Sequence, residues 1–201
     1  MAVTSQRADT PMAALPHCRI PDDIRPILGD HIRFDDEVGD IERIMLACDG
    51  TFTFQLEAFV HELISVEILS YEQIAIDGKA AEFLKATPGD DAWERKVLLR
   101  GRDSDEAYVF AHSYVLADRL PKRLQEDLRA SPAGIGRLFV DYRLSIYRHL
   151  VGYFFEDGAP YAQLFPSRRN LAFLARVYRV DFEGRPVMLI TEKMPRDLFT
   201  R

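Results

Sequence analysis

The segment from Phe173 to Pro195 constrains the fold of this chain more than any other. It reads Phe173-Leu174-Ala175-Arg176-Val177-Tyr178-Arg179-Val180-Asp181-Phe182, then Glu183-Gly184-Arg185-Pro186, then Val187-Met188-Leu189-Ile190-Thr191-Glu192-Lys193-Met194-Pro195. β-branched and aromatic runs on either side of a Gly-containing turn are the pattern of a β-hairpin. The second run is apolar on both faces, which suits a central strand covered on both sides. Glu192 stands at its far end. An ionised carboxylate at the edge of an apolar run calls for a partner or a function. The run therefore reads as the wall of a small, dry pocket with one carboxylate delivered into it.

A chain of 201 residues, 47% of them hydrophobic, can bury the core of one domain. The formal charge of −6, with scattered basic residues, argues against a nucleic-acid surface. Cys18 and Cys48 have neither metal-type nor redox-type spacing, so free thiols in a reducing compartment are expected. No apolar run approaches the ~20 residues of a membrane span, and the start of the chain lacks the apolar stretch of a signal peptide. These features predict a cytoplasmic protein with no membrane partner. The histidines at 17, 31, 61, 112 and 149 make no metal-ligand spacing, so no metal site is expected. Walker A, G-x-G-x-x-G and G-x-S-x-G patterns are all missing from the sequence.

Residues 1–20 are small, polar and proline-containing and read as a loose tail ahead of a single domain over 21–201. Asp22, Asp23 and Pro26 suggest a short first helix. Asp36 or Asp40 could cap a helix carrying Ile41, Ile44, Met45 and Ala47. Asp49-Gly50 breaks it, and Thr51 caps a second helix with Phe52, Leu56, Phe59 and Val60 on one face. Residues 65–76 are strand-like, 77–91 loop-rich. Trp93–Arg100 and Ala107–Leu116 read as strands joined by a hairpin loop over 101–105. Leu120-Pro121 opens a helix through Leu128, and Gly134-Ile135-Gly136 turns into another. Aromatics at 147, 153, 154 and 155 tilt residues 143–155 towards strand, and 157–170 reads as loop. Consecutive strands with short connections, and helices grouped elsewhere, predict an α+β fold: a mostly antiparallel sheet with helices over one face.

Several residues carry two readings. Arg95 is either an outward-facing strand residue or an anion clamp. Glu192 is either a strand-end salt bridge or a pocket acid. Phe52 is either core or pocket cover. His112, inside Val109–Tyr114, is either a hydrogen-bonded strand residue or a pocket residue. Arg168-Arg169 reads as a solvated loop, or as a cover over a carboxylate ligand.

Four ordered segments narrow these choices: Asp49-Gly50-Thr51-Phe52-Thr53-Phe54-Gln55-Leu56-Glu57, Trp93-Glu94-Arg95-Lys96-Val97-Leu98-Leu99, Gly134-Ile135-Gly136-Arg137-Leu138-Phe139, and Gly184-Arg185-Pro186 through Thr191-Glu192. Together, over about residues 40–197, the set resembles the chorismate pyruvate-lyase family and its DUF98-type relatives. The resemblance implies elimination of pyruvate from chorismate to give 4-hydroxybenzoate, or a related hydroxybenzoate, with no cofactor and no metal. It implies Arg95 as the clamp on the ring carboxylate. Ile135 and Gly136 would bring backbone to that carboxylate, Phe52 would cover the pocket, and His112 would lie beside the substrate. Glu192 would stand near the ring hydroxyl or the ether oxygen, protonated by desolvation and able to act as a general acid. The sequence departs from these relatives at Phe54, His112, Gly134 and Ser145. The same fold also serves as the small-molecule effector domain of some transcription regulators, so non-catalytic binding of an aromatic acid is the alternative. Residues 1–40 are too short for a winged-helix segment, which disfavours a fused regulator. A related lyase acting on another aromatic or enolpyruvyl acid is a third reading.

Overall fold

In a computed structural model, which describes residues 15, 19–27, 34–130, 134–168 and 171–199, the C-terminal run forms the hairpin its residues dictate. The strands, in chain order, are β1 (Arg25–Pro26), β2 (Ile64–Ala75), β3 (Asp91–Gly101), β4 (Ala107–Val115), β5 (Ile146–Asp157), β6 (Ala172–Phe182) and β7 (Arg185–Pro195). They make one sheet in the order β1-β5-β6-β7-β4-β3-β2, with every neighbouring pair antiparallel. The doubly apolar run, β7, is the middle strand, buried from Pro186 to Pro195. Glu183 and Gly184 turn the hairpin at φ values of 50° and 74°, the left-handed geometry of a tight β-hairpin turn.

The helices are α1 (Asp40–Leu46), α2 (Phe52–Val60), α3 (Gly78–Leu84), α4 (Lys122–Ala130) and α5 (Ile135–Asp141). α1, α2, α4 and α5 lie on one face of the sheet. Met45, Leu46, Phe52 and Leu56 pack there on Val66, Val97, Leu99 and Leu174. Beside them Leu124, Leu128, Leu138 and Phe139 pack on Val180, Met188 and Ile190. Each such side chain contributes roughly 1.5–3 kcal/mol when fully buried. The other face is sealed in part by α3, over Ala175, Val177 and Leu189. A 3-10 turn over Ala159–Leu164 brings Tyr161 against Phe110 and Phe173 on the same side.

Four local expectations change. α1 is capped by Gly39, not by Asp36 or Asp40, and the Glu42 carboxylate accepts the Gly39 N–H at 2.8 Å. The helix expected near Asp22–Pro26 is absent. Arg25 and Pro26 instead pair with Tyr153 and Gly152 as an edge strand, where proline's missing N–H costs nothing. A Cβ on Gly152 would stand 2.5 Å from the Arg25 carbonyl oxygen, so only glycine lets this edge close. Within the loop expected over 77–91, α3 buries Ala80, Ala81 and Leu84. Its short apolar face is framed by Gly78, Pro88 and Gly89, which dominate a purely local reading. The expected loop over 157–170 contains the 3-10 turn. The expected tail lies almost wholly outside the described residues.

Candidate active site

On the helix-covered face, the two helix groups part over a cavity of about 590 Å³, counting its open mouth. Val97, Leu99, Ala111, Val180 and Ile190 rise from the sheet as its floor, and the chain at Gly50–Thr53 and Gly134–Gly136 forms the rim. A Cβ on Gly136 would stand 2.8 Å from the Thr51 Cγ2, so glycine lets the first turn of α5 close against the start of α2. Gly134 has φ −63°, a value proline also adopts.

Alternation along the strands sends Arg95, Ser113, Ile190, Glu192 and Tyr178 to this face, and all line the cavity. Arg95 is only 2% exposed. Its Nε has no hydrogen-bond partner, and among the described residues no carboxylate is ion-paired with it. Burial draws the guanidinium down to about 10, with Tyr71 opposing the shift, so it is a cation at neutral pH. A buried cation with spare donors is built to receive an anion.

Glu192 comes from the centre of the sheet, directly between Ala111 and Arg176 in the ladder. Arg176 Nε donates to its Oε2 at 2.6 Å, and the Tyr178 hydroxyl donates to its Oε1 at 3.1 Å. The same arginine, 1% exposed, donates from Nη1 to the carbonyls of Met45 (2.8 Å) and Cys48 (3.0 Å). These lie at the exit of α1, where helix carbonyls lack intrahelical partners. The guanidinium also stacks over Phe52, 4.4 Å from the ring centroid. Burial opposes the Arg176 charge, but Glu192, Tyr178 and Cys48 outweigh it and hold its pKa above the usual value. Burial, then the Glu192 charge, pushes the Tyr178 phenol up, which keeps it a donor. Both Glu192 oxygens thus accept from donors inside the protein, Arg176 on one and Tyr178 on the other.

Arg95, Glu192, Ile135, Gly136 and Phe52 therefore meet in one cavity. Phe52 answers both of its readings, because it belongs to the core and also lines the cavity. His112 does not join them. It projects from the opposite face, 2% exposed, with Nε2 2.8 Å from Glu94 Oε1, while Lys96 Nζ is 3.0 Å from Oε2. Its one-residue offset from Ser113 sends it there. Phe54 is exposed, as is Ser145, and neither lines the cavity. Arg168 is not a solvated loop residue. It is half-buried, paired with Glu106 (2.6 Å) and Asp197 (3.2 Å), and does not line the cavity; Arg169 lies outside the described residues. Three residues of the site escape a sequence reading: Arg176, Tyr178 and Arg148. Arg148 lines the cavity from β5 and donates from Nη1 to the Asp49 carbonyl at 3.1 Å. Cys48 is a free, buried thiol, and among the described residues no helix is long and apolar enough to cross a membrane.

A family described as chorismate pyruvate-lyase, Rv2949c-like, matches residues 46–200. The chorismate pyruvate-lyase of Mycobacterium tuberculosis (strain H37Rv) is 27% identical over 161 residues, covering 78% of this chain and 80% of that protein. The chorismate pyruvate-lyase of Mycobacterium leprae (strain TN) is also 27% identical, covering 78% and 75%. Among solved structures, the effector domain of PhnF from Mycobacterium smegmatis superposes with a TM-score of 0.57 at 13% identity, over 74% of this chain and 90% of that one. A GntR-family transcriptional regulator from Bacillus cereus gives 0.53 at 11% identity, over 67% and 92%. These two share the fold.

Proposed function

This chain belongs to the Rv2949c-like chorismate pyruvate-lyase family, and from that premise we propose that it eliminates pyruvate from chorismate, leaving 4-hydroxybenzoate. The observation that carries the reading is Arg95, a buried arginine with an unused Nε, which lines a cavity that also holds Glu192. In this reading Arg95 grips the ring carboxylate through its planar fork. The first amides of α5, at Ile135 and Gly136, have no acceptor within the helix and border the same space. Phe52 closes over the ring.

The reaction breaks the ether bond between ring carbon and enolpyruvyl oxygen. It also removes the hydrogen on the neighbouring ring carbon, the one bearing the hydroxyl. The electrons of that C–H bond complete the aromatic ring, and the departing enolpyruvate takes a proton on its methylene carbon to become pyruvate. A carboxylate suits the first proton transfer, so Glu192, paired with Arg176, acts as the base, with Tyr178 orienting it. Aromatisation supplies the driving force, and holding the ring at Arg95 supplies the orientation.

The test is incubation of the purified protein with chorismate, without added metal, followed by separation and mass identification of the products. Equal amounts of pyruvate and 4-hydroxybenzoate are expected. Unchanged chorismate beside a control lyase that consumes it refutes the lyase reading. Binding of 4-hydroxybenzoate without turnover would then make the protein a receptor for aromatic acids.

A further inference from the structure

The charges lining the cavity do not balance. Arg95, Arg148 and Glu192 are its charged residues among those described. Glu192 is already neutralised by Arg176. Two positive charges therefore remain, at Arg95 and Arg148, and neither is ion-paired with a carboxylate among the described residues. A cavity with two uncompensated cations favours a ligand with two negative charges over one with a single charge.

The placement of the two cations adds to this. Arg95 lies on β3 and Arg148 on β5, with β4, β7 and β6 between them. Four strand spacings of ~4.8 Å set their backbones about 19 Å apart. Both residues line the same cavity, so it is bordered by a cation from each side of this span. Tyr178 on β6 and Glu192 on β7 occupy the interval. Arg148 uses Nη1 on the Asp49 carbonyl and keeps its other donors. That contact fixes the guanidinium at the cavity rim beside Gly50 and Thr51.

We propose that Arg148 is the second carboxylate-binding residue of the cavity and makes it selective for dicarboxylates. Resting on the lyase reading, this assigns Arg148 to the enolpyruvyl carboxylate and Arg95 to the ring carboxylate. The susceptible ether then lies over Glu192 and Tyr178. After cleavage each arginine holds a separate monoanion. Arg148 thus distinguishes substrate from aromatic product, whereas Arg95 binds both.

The decisive measurement uses two unreactive probes, 3-(carboxymethoxy)benzoate and 3-methoxybenzoate, titrated calorimetrically into wild type, Arg148→Gln and Arg95→Met. Wild type should prefer the dicarboxylate by about 10–100-fold, the scale of one hydrogen-bonded charge pair. Arg148→Gln should abolish that preference and leave the affinity for 3-methoxybenzoate nearly unchanged, which also shows that the variant is folded. Arg95→Met should weaken both probes. No preference in wild type, or a preference that survives Arg148→Gln, overturns the assignment. Equal weakening of both probes by Arg148→Gln also overturns it, because Arg148 would then act only by anchoring Asp49. Chorismate turnover by wild type is scored separately. Loss of the lyase reading with the probe preference intact leaves the two-carboxylate site standing, and turnover without the preference removes Arg148 alone.

Discussion

Replacing Arg95 with methionine should make the protein more stable and unable to bind its ligand. In the free protein the guanidinium is 2% exposed, with Nε unpaired. Burial lowers its pKa from the ordinary 12.5 to about 10. At 1.36 kcal/mol for each tenfold change in proton affinity, holding this charge costs the native state about 3 kcal/mol. The sign follows from linkage. The pKa is lower in the folded than in the unfolded chain, so the cost is full below about pH 10 and disappears only as pH rises through the unfolded value. Methionine is unbranched and fills much of the same space, so no large void opens. Allowing for imperfect packing, Arg95→Met should gain about 1–2 kcal/mol. A chain of this length should then melt higher by about 2–4 °C for each kcal/mol. With 4-hydroxybenzoate at a hundred times its dissociation constant, wild type should gain about 2.7 kcal/mol and the variant nothing. Calorimetric melts of both proteins, with and without the ligand, give all four values. A variant that melts below wild type would refute the argument, because it would mean that the arginine is satisfied in the free protein and not held ready for an anion.

The remaining predictions concern the other charged groups. Glu192→Gln is nearly isosteric and should retain most product affinity while lowering turnover by about 10²–10⁴-fold; unchanged turnover would take Glu192 out of the chemistry. Arg176→Met removes the counter-charge of Glu192 and the donor to Met45 and Cys48, so urea unfolding should show a loss of about 3–5 kcal/mol. Arg176→Lys should recover little, since a point charge cannot replace the planar fork, and a fully stable lysine variant would contradict this. On the opposite face, His112 first and then Lys96 hold Glu94 down to about 2 against the opposing effect of burial. Because this pKa is depressed, its stabilisation is full above the ordinary value of 4.5 and is lost as pH falls towards about 2. Glu94→Gln should therefore be less stable than wild type at about pH 6, with the gap closing at about pH 3 and below. A gap independent of pH would assign the effect to packing.

The site and the fold were legible in the sequence to different depths. Turn chemistry and period-two patterning are local, so the hairpin, the strands near 93–100 and 107–116 and the helices beginning at Phe52 and Lys122 could be read directly from the residues. The family resemblance brought Arg95, Glu192, Phe52, Ile135 and Gly136 towards one pocket, and the structure gathers them there. It also drew in His112, but strand alternation sends that residue to the opposite face, and nothing in the resemblance encodes which face a residue takes. α3 was missed because its buried face is too short to stand out between glycine and proline.

The least legible feature is the partner of Glu192. A regular hairpin with Glu183-Gly184 at its turn would set Arg176 opposite Thr191 and send Glu192 to the other face. In the structure the register shifts between Val180 and Asp181, after Asp181 pairs with Pro186, so that Val180 meets Met188 and Arg176 meets Glu192. Pro186 has no N–H to give to a ladder, and a bulge beside it accommodates that lack. One extra residue exchanges the faces of everything beyond it. Local residue preferences make the strands, but the bulge, held by the packing of Val187 and Met188 in the core, decides that the carboxylate and its guanidinium share a face. Side-chain pairing across a sheet depends on register, and register is settled only when both faces of the sheet have been covered.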